Sequence, residues 1–157
     1  MPALRIAAVV MLERGHLHRV LAVVGALTAR GHEVHVLTAA AFADEVRAAG
    51  ARFVDLFARF PLEAADAESL PFASRYVSFA ARYLDGLTAL LAGLAPALVL
   101  YDTFALVAPL AARRLGLPYV NVCAGHAARP APPSSPRRDA TPAACTASGH
   151  GARGWRC

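Results

Sequence analysis

Residues 4–38 constrain the fold of this chain more than any other segment. They contain a continuous apolar run at residues 6–11, apolar residues at helical spacing over residues 17–30, and a second buried strand predicted at residues 33–38, where Val34, Val36 and Leu37 are apolar. A continuous apolar run is typical of a parallel strand covered on both faces, and the helical spacing indicates an amphipathic helix. The segment therefore predicts a strand–helix–strand unit whose parallel strands are joined by a right-handed crossover.

The same alternation continues along the chain. We predict a short helix at residues 41–49, a strand at 52–56, a loop at 57–73, a long helix at 74–94, a strand at 98–101, a helix at 105–115 and a strand at 119–123. The long helix is expected to bury one stripe, formed by Val77, Ala80, Leu84, Leu87, Leu91 and Leu94. The pattern predicts an α/β fold, a Rossmann-like parallel sheet of about five or more strands with helices on both faces.

Composition narrows the class of protein. The hydrophobic fraction of 57% is ample for a core, and no run is long enough to predict a membrane span, because Pro96 interrupts the longest candidate. All 16 basic residues are Arg, and residues 1–129 carry 12 of them against 10 acidic residues. Without a basic stripe and interleaved aromatics, we expect no nucleic-acid partner. The three Cys form no disulfide pattern, which indicates a reduced, cytoplasmic protein.

The last part of the chain differs from the rest. Residues 130–157 contain no Leu, Ile, Val or Phe, and they are rich in Pro, Ala, Arg and Gly. Such a segment cannot bury enough apolar surface to offset the entropy of ordering it. We therefore expect a domain at residues 1–129 and a disordered tail at residues 130–157. The abrupt change suggests a frameshift or truncation, and a natural low-complexity tail is the alternative.

One histidine stands at a position where α/β sheets bind ligands. His16 follows the first predicted strand and precedes the first predicted helix, and Asp102 follows the fourth predicted strand. Ligands of open α/β sheets bind at the carboxyl ends of the strands. Histidine titrates near neutral pH, and a helix amino end disfavours its charged form, so His16 is a candidate general base. The alternatives are a loop histidine that caps the helix and an aspartate in a turn.

Four segments resemble one enzyme family. They are GHLHR at residues 15–19, which resembles G-H-x-x-P; ALTARGHEVHVLTAAAFADEVRAAGARFV; LVLYDTF, which contains Asp102; and RRLGLPYVNV. In this order, over residues 4–128, they resemble the amino-terminal, acceptor-binding half of a family-1 glycosyltransferase of the GT-B fold. The bacterial macrolide-glycosyltransferase type of the UDP-glycosyltransferases is the nearest pattern.

This resemblance implies a reaction and a set of site residues. His16 is expected to deprotonate the acceptor hydroxyl, and Asp102 to bind its other ring nitrogen. The implied reaction is an inverting transfer from a nucleotide-sugar to a hydroxyl of a small natural product, with no metal and no further cofactor. Arg19 replaces the proline of the motif, so either the loop differs locally or Arg19 faces the acceptor. His126 follows the fifth predicted strand at the same edge, which makes it a second candidate acceptor-binding residue.

Alternative functions remain open at this point. No signature of a donor-binding domain follows residue 129, so the chain alone is expected to have little or no transferase activity. A non-catalytic module that pairs with a separate transferase chain is the main alternative, and half of a nucleotide-sugar epimerase is another. A dehydrogenase is disfavoured because the first loop lacks G-x-G-x-x-G. The remaining histidines have no zinc-binding spacing.

Overall fold

A five-stranded parallel sheet forms the centre of residues 2–64 and 71–123, the part of the chain described by this computed structural model. The strands are β1 (Arg5–Val9), β2 (Glu33–Thr38), β3 (Arg52–Asp55), β4 (Leu98–Asp102) and β5 (Tyr119–Val122). Their order in the sheet is β3-β2-β1-β4-β5, and every neighbouring pair is parallel. The predicted α/β fold is therefore confirmed. His126 and the predicted tail at residues 130–157 lie outside the described residues.

Among the described residues, five helices connect the strands. They are α1 (Arg14–Thr28), α2 (Ala43–Ala48) after a 3-10 turn (Ala40–Phe42), α3 (Leu56–Arg59), α4 (Phe72–Leu94) and α5 (Val107–Arg114). The predicted first helix began too late, because α1 starts at Arg14 and holds His16 in its first turn. The predicted loop at 57–73 was also partly wrong. Asp55 Oδ1 accepts the backbone N–H groups of Phe57 and Ala58, which starts α3 directly after β3.

The core lies on both faces of the sheet. Successive residues of a strand point to opposite faces. On one face Ala7 and Val9 of β1 pack with α4 and α5, and on the other Ile6 and Ala8 pack with α1 and α2. The predicted stripe of α4 was wrong at one end: Val77 is 57% exposed, whereas Tyr76 is buried. Packing of aromatic rings against the sheet decides the rotation of α4 about its axis.

Length and composition alone would allow one helix to cross a membrane. Among the described residues, the segment Ser74–Leu94 of α4 meets this test, with a mean hydropathy of 1.2. Core helices of water-soluble proteins pass it as well, and Phe79, Leu87 and Leu91 of α4 are buried in the core. The expected absence of a membrane span therefore stays a prediction.

One buried hydroxyl in the sheet has no partner within the described part of the chain. Thr38, the last residue of β2, is fully buried, and its Oγ1 makes no hydrogen bond there. Because an unsatisfied buried hydroxyl keeps its desolvation cost, Thr38→Val should raise the free energy of unfolding by about 1 kcal/mol. Urea unfolding measures this change. Thr28→Val is the matched control, since the Thr28 hydroxyl donates to the carbonyls of Gly25 and Ala49. It should lower stability, and a loss at Thr38 as well would contradict the explanation.

The Glu33 carboxylate joins β1, β2 and β3 at the amino-terminal edge of the sheet, opposite the edge that carries the carboxyl ends of the strands. Glu33 contacts Arg5 at 3.3 Å, His35 at 2.9 Å and Arg52 at 3.1 Å. The hydrogen bond from His35, followed by the contacts with the arginines, lowers the pKa of Glu33 below its usual 4.5 although desolvation opposes the shift. A lowered folded-state pKa adds stability above pH 4.5 and loses it as the pH falls through the folded value.

Glu33→Gln should therefore lower the melting temperature slightly at neutral pH, and the difference from the parent chain should vanish in acid. Thermal unfolding of both proteins across the acid range measures it. A difference that stays constant down to acidic pH would show that the Glu33 carboxylate does not titrate as described.

Candidate active site

The site lies where the strand order changes direction along the chain. From β1 the chain proceeds to β2 and β3 on one side, and it then returns to β4 and β5 on the other. The crevice between the carboxyl ends of β1 and β4 is therefore the topological switch point, where open α/β sheets bind their ligands. The first turn of α1 and the last residue of β4 meet there, and they carry His16 and Asp102.

Asp102 is fixed by two backbone groups. It is fully buried at the end of β4. Its Oδ2 accepts the N–H of Met11 at 2.6 Å, and its Oδ1 accepts the N–H of Phe104 at 2.6 Å. The carboxylate therefore ties the segment after β1 to the segment after β4. Two backbone donors also supply much of the solvation that the buried oxygens lose.

His16 completes the contacts of this carboxylate. Its Nδ1 lies 3.3 Å from Asp102 Oδ1, and its side chain is 19% exposed. With a proton on Nδ1 the ring donates to Asp102, and the lone pair then belongs to Nε2. Nε2 has no hydrogen-bond partner among residues 2–64 and 71–123. The arrangement can accept a proton at Nε2 and stabilise the resulting imidazolium through Asp102.

Two aromatic rings extend the site, and sequence analysis missed both. Phe104 stacks on His16 with 4.7 Å between ring centroids and 18° between planes, and Tyr76 stacks on Phe104 at 5.5 Å and 26°. The Tyr76 hydroxyl donates to Glu13 Oε1 at 2.5 Å. Burial raises the pKa of Tyr76 above its ordinary value, and the Glu13 carboxylate adds to the shift. Phe104 stands in the LVLYDTF segment, two residues after Asp102, so the motif itself held that signal.

The other candidate residues lie apart from this pair. Arg19 is exposed on α1, one turn after His16. Within the part of the chain that the structure describes, its side chain makes no hydrogen bond or ion pair. His18 Nε2 lies 2.8 Å from Glu45 Oε2, so it diverges from His16 as expected for residues two apart on a helix. Arg14 also reaches Glu45, at 3.1 Å. His126 is not among the described residues.

The described residues hold no metal site beside this pair, and a groove among them lies elsewhere. Across residues 2–64 and 71–123, no group of three or more His, Cys, Asp or Glu is arranged to hold a metal ion. A groove of about 410 Å³ lies between the end of α3 and the second half of α4, and Phe60, Gly86 and Leu90 are among its lining residues. None of the residues around His16 lines it.

Solved structures with the same fold are glycosyltransferases. The calicheamicin glycosyltransferase CalG4 is 32% identical, covers 82% of this chain and has a TM-score of 0.64. The glycosyltransferase of kitacinnamycin is 27% identical over 79% of this chain, with a TM-score of 0.65. SsfS6 from Streptomyces sp. SF2575 is 25% identical over 75% of this chain, with a TM-score of 0.58. No protein-family profile and no curated protein sequence matches.

The matches cover only part of each glycosyltransferase. The chain spans 34%, 31% and 38% of the length of the three enzymes, about one third in each case. The resemblance to bacterial macrolide glycosyltransferases is therefore confirmed, and the Rossmann-like α/β fold of this chain is similar to one half of a GT-B glycosyltransferase.

Proposed function

We propose that this chain is the acceptor-binding domain of an inverting glycosyltransferase. The enzyme transfers a sugar from a nucleotide-sugar to a hydroxyl of a small natural product in the cytoplasm, without a metal. The observation that carries the proposal is the contact of His16 Nδ1 with the buried Asp102 Oδ1, 3.3 Å apart at the switch point of the sheet. A histidine that only capped α1 would need no buried carboxylate beside its ring.

The proposed step needs one base and one leaving group. Nε2 of His16 takes the proton of the acceptor hydroxyl as its oxygen forms a bond to the anomeric carbon. The bond from that carbon to the nucleoside diphosphate breaks, and the diphosphate leaves with the electron pair. Asp102 then faces an imidazolium, and a charge-assisted hydrogen bond stabilises it. Arg19 and His126 are proposed to contact the acceptor.

The proposed nucleotide-sugar donor is supported by the complex of a related protein. SsfS6, which is 25% identical to this chain, has been solved in complex with thymidine diphosphate. A nucleoside diphosphate is the leaving group of a nucleotide-sugar, and this supports such a donor here. The alternative of a non-catalytic module is not favoured, since pure binding does not require a base held against a carboxylate.

A hybrid enzyme tests the proposal. Residues 2–123 of this chain would replace the matching segment of CalG4, which supplies the remaining two thirds of a transferase. We expect the hybrid to transfer sugar to a hydroxylated acceptor, and we expect no turnover from the 157-residue chain alone, because alignment of donor and acceptor supplies a large part of the rate.

Two outcomes would contradict parts of this proposal. Turnover of a nucleotide-sugar by the purified 157-residue chain would show that the chain needs no further domain. An active hybrid whose rate is insensitive to the loss of the His16 imidazole would show that another group is the base. Sugar transfer is measured by mass spectrometry of the acceptor.

A further inference from the structure

The contacts around His16 form a closed circuit of four residues. The imidazole of His16 stacks on Phe104, and Phe104 stacks on Tyr76. Tyr76 donates its hydroxyl hydrogen to the carboxylate of Glu13 at 2.5 Å. The backbone carbonyl of Glu13 in turn accepts the N–H of His16 at 3.0 Å. The circuit therefore begins and ends at the first turn of α1, and it passes through the segment after β4 and through α4.

The four members of the circuit are held from three elements, since Glu13 and His16 both lie at the start of α1. Glu13 is the residue before α1, Phe104 follows β4, and Tyr76 lies near the start of α4. Tyr76 is 3% exposed, so its ring has little room to move. Burial, followed by Glu13, raises the pKa of Tyr76 further above an ordinary value that already keeps a phenol protonated at neutral pH, so the hydroxyl is a donor. The stack is therefore anchored at both ends.

The orientation of the imidazole matters for a base. Rotation of the ring about its bond to the Cβ atom would tilt the imidazole out of its present plane and carry Nδ1 away from Asp102 Oδ1. A single hydrogen bond of 3.3 Å restricts this rotation weakly. A parallel neighbouring ring restricts it more, because aromatic pairs favour offset stacking and lose contact area when one ring turns.

We infer that Phe104 and Tyr76 are positioning residues, which hold the His16 imidazole in the plane where Nδ1 reaches Asp102 and so leave Nε2 for the acceptor proton. The role of Nε2 rests on the proposed function, whereas the fixed ring orientation does not. Phe104 acts by direct stacking, and Tyr76 acts through Phe104. Glu13 closes the circuit and links the position of α4 to that of the base.

The tautomer of His16 reports this orientation. The full 157-residue chain, with its six histidines isotopically labelled in the ring nitrogens, would be studied by nuclear magnetic resonance. His16→Gln identifies the His16 signals by removing them. In the parent chain we expect the neutral ring to carry its proton mainly on Nδ1. In Phe104→Leu and in Tyr76→Leu, the ratio of Nδ1–H to Nε2–H should fall by about threefold to tenfold.

A tyrosine elsewhere on α4 is the matched control. The ring of Tyr83 contacts Phe79 at 4.9 Å between centroids, and its hydroxyl donates to the Pro61 carbonyl at 2.9 Å. Tyr83→Leu therefore removes a partly buried aromatic ring and a hydrogen-bonded hydroxyl from α4 without touching the circuit. We expect it to lower the melting temperature and to leave the tautomer ratio of His16 unchanged.

The conservative variant Tyr76→Phe keeps the ring of the stack and removes the hydroxyl, together with its hydrogen bonds to the Glu13 carboxylate and the Leu12 backbone. It should shift the ratio in the same direction as Tyr76→Leu and by less. The inference is overturned if either leucine variant of the circuit retains the parent ratio, or if Tyr83→Leu changes it equally. If both leucine variants fail to fold, Tyr76→Phe decides, and an unchanged ratio in it overturns the inference.

The readout separates this inference from the proposed function. A parent-like tautomer ratio in the ring-removing variants would refute the positioning role even if the hybrid enzyme were active. A changed ratio together with an inactive hybrid would retain the positioning role and refute the transferase proposal.

Discussion

Replacement of His16 by alanine is expected to lower kcat of the hybrid enzyme by about 10²- to 10⁴-fold, the usual contribution of a general base. The KM for the acceptor should change little, because the proton moves only during the reaction. The reason is the geometry of the pair: Nδ1 is engaged by Asp102 at 3.3 Å, and Nε2 is the nitrogen left to take a proton. Steady-state kinetics with varied acceptor measures both constants.

His18 provides the control for this substitution. It lies two residues further along α1, it is exposed, and it contacts Glu45 at 2.8 Å instead of the site. His18→Ala should leave kcat within about twofold of the parent value, as expected for a surface residue away from the chemistry. An equal loss of rate in both variants would mean that the start of α1, and not the imidazole of His16, governs activity.

Asp102→Asn is expected to lower both the rate and the stability. Each carboxylate oxygen accepts a backbone N–H, Oδ2 from Met11 and Oδ1 from Phe104. An amide has only one oxygen, so in either orientation its NH₂ group must face one of these donors. The unsatisfied buried groups should cost about 1–3 kcal/mol of unfolding free energy. The Nδ1–H tautomer of His16 also loses either its acceptor or the negative charge on that acceptor, and kcat should fall by about 10²-fold or more.

Asp55→Asn separates this effect from a general cost of removing a carboxylate. Asp55 accepts two backbone N–H groups as well, from Phe57 and Ala58, but both bond to the same oxygen, Oδ1. An asparagine amide oxygen can keep both bonds, so this variant should lose clearly less stability than Asp102→Asn. Urea unfolding of the 157-residue chain compares the two. Equal losses would contradict the role assigned to the second oxygen of Asp102.

The local sequence correctly predicted the strands and the edge of the sheet at which the candidate site lies. Segments rich in apolar residues placed the strands to within one or two residues, and residues 6–11 are apolar throughout because β1 is buried on both faces. The alternation of strands and helices predicted a parallel sheet, and parallel strands deliver the residues that follow them to one edge. The sequence alone therefore predicts His16 and Asp102 at the same edge of the sheet, although 86 positions separate them.

Some local features were nevertheless misjudged. The first helix was predicted to begin at residue 17, although Arg14 and Gly15 already have helical backbone. The side chain of Asp55 starts α3 inside a segment that was predicted to be a loop. Such boundaries depend on a few hydrogen bonds at a helix end, and the periodicity of apolar residues carries no information about them.

The order of the strands and the packing around the base belong to the tertiary structure. Periodicity does not state that β4 lies beside β1, which is the arrangement that brings Asp102 to within 3.3 Å of His16. It also placed Val77 in the core in place of Tyr76, and so it missed the stacked rings. Residue types and spacing determined that this chain is an α/β domain with a histidine at its ligand-binding edge. Only the tertiary structure decided which side chains surround that histidine. Packing brings Glu13 against Tyr76, 63 positions away, and stacks the rings of Tyr76, Phe104 and His16. Such contacts depend on how separate elements meet in space.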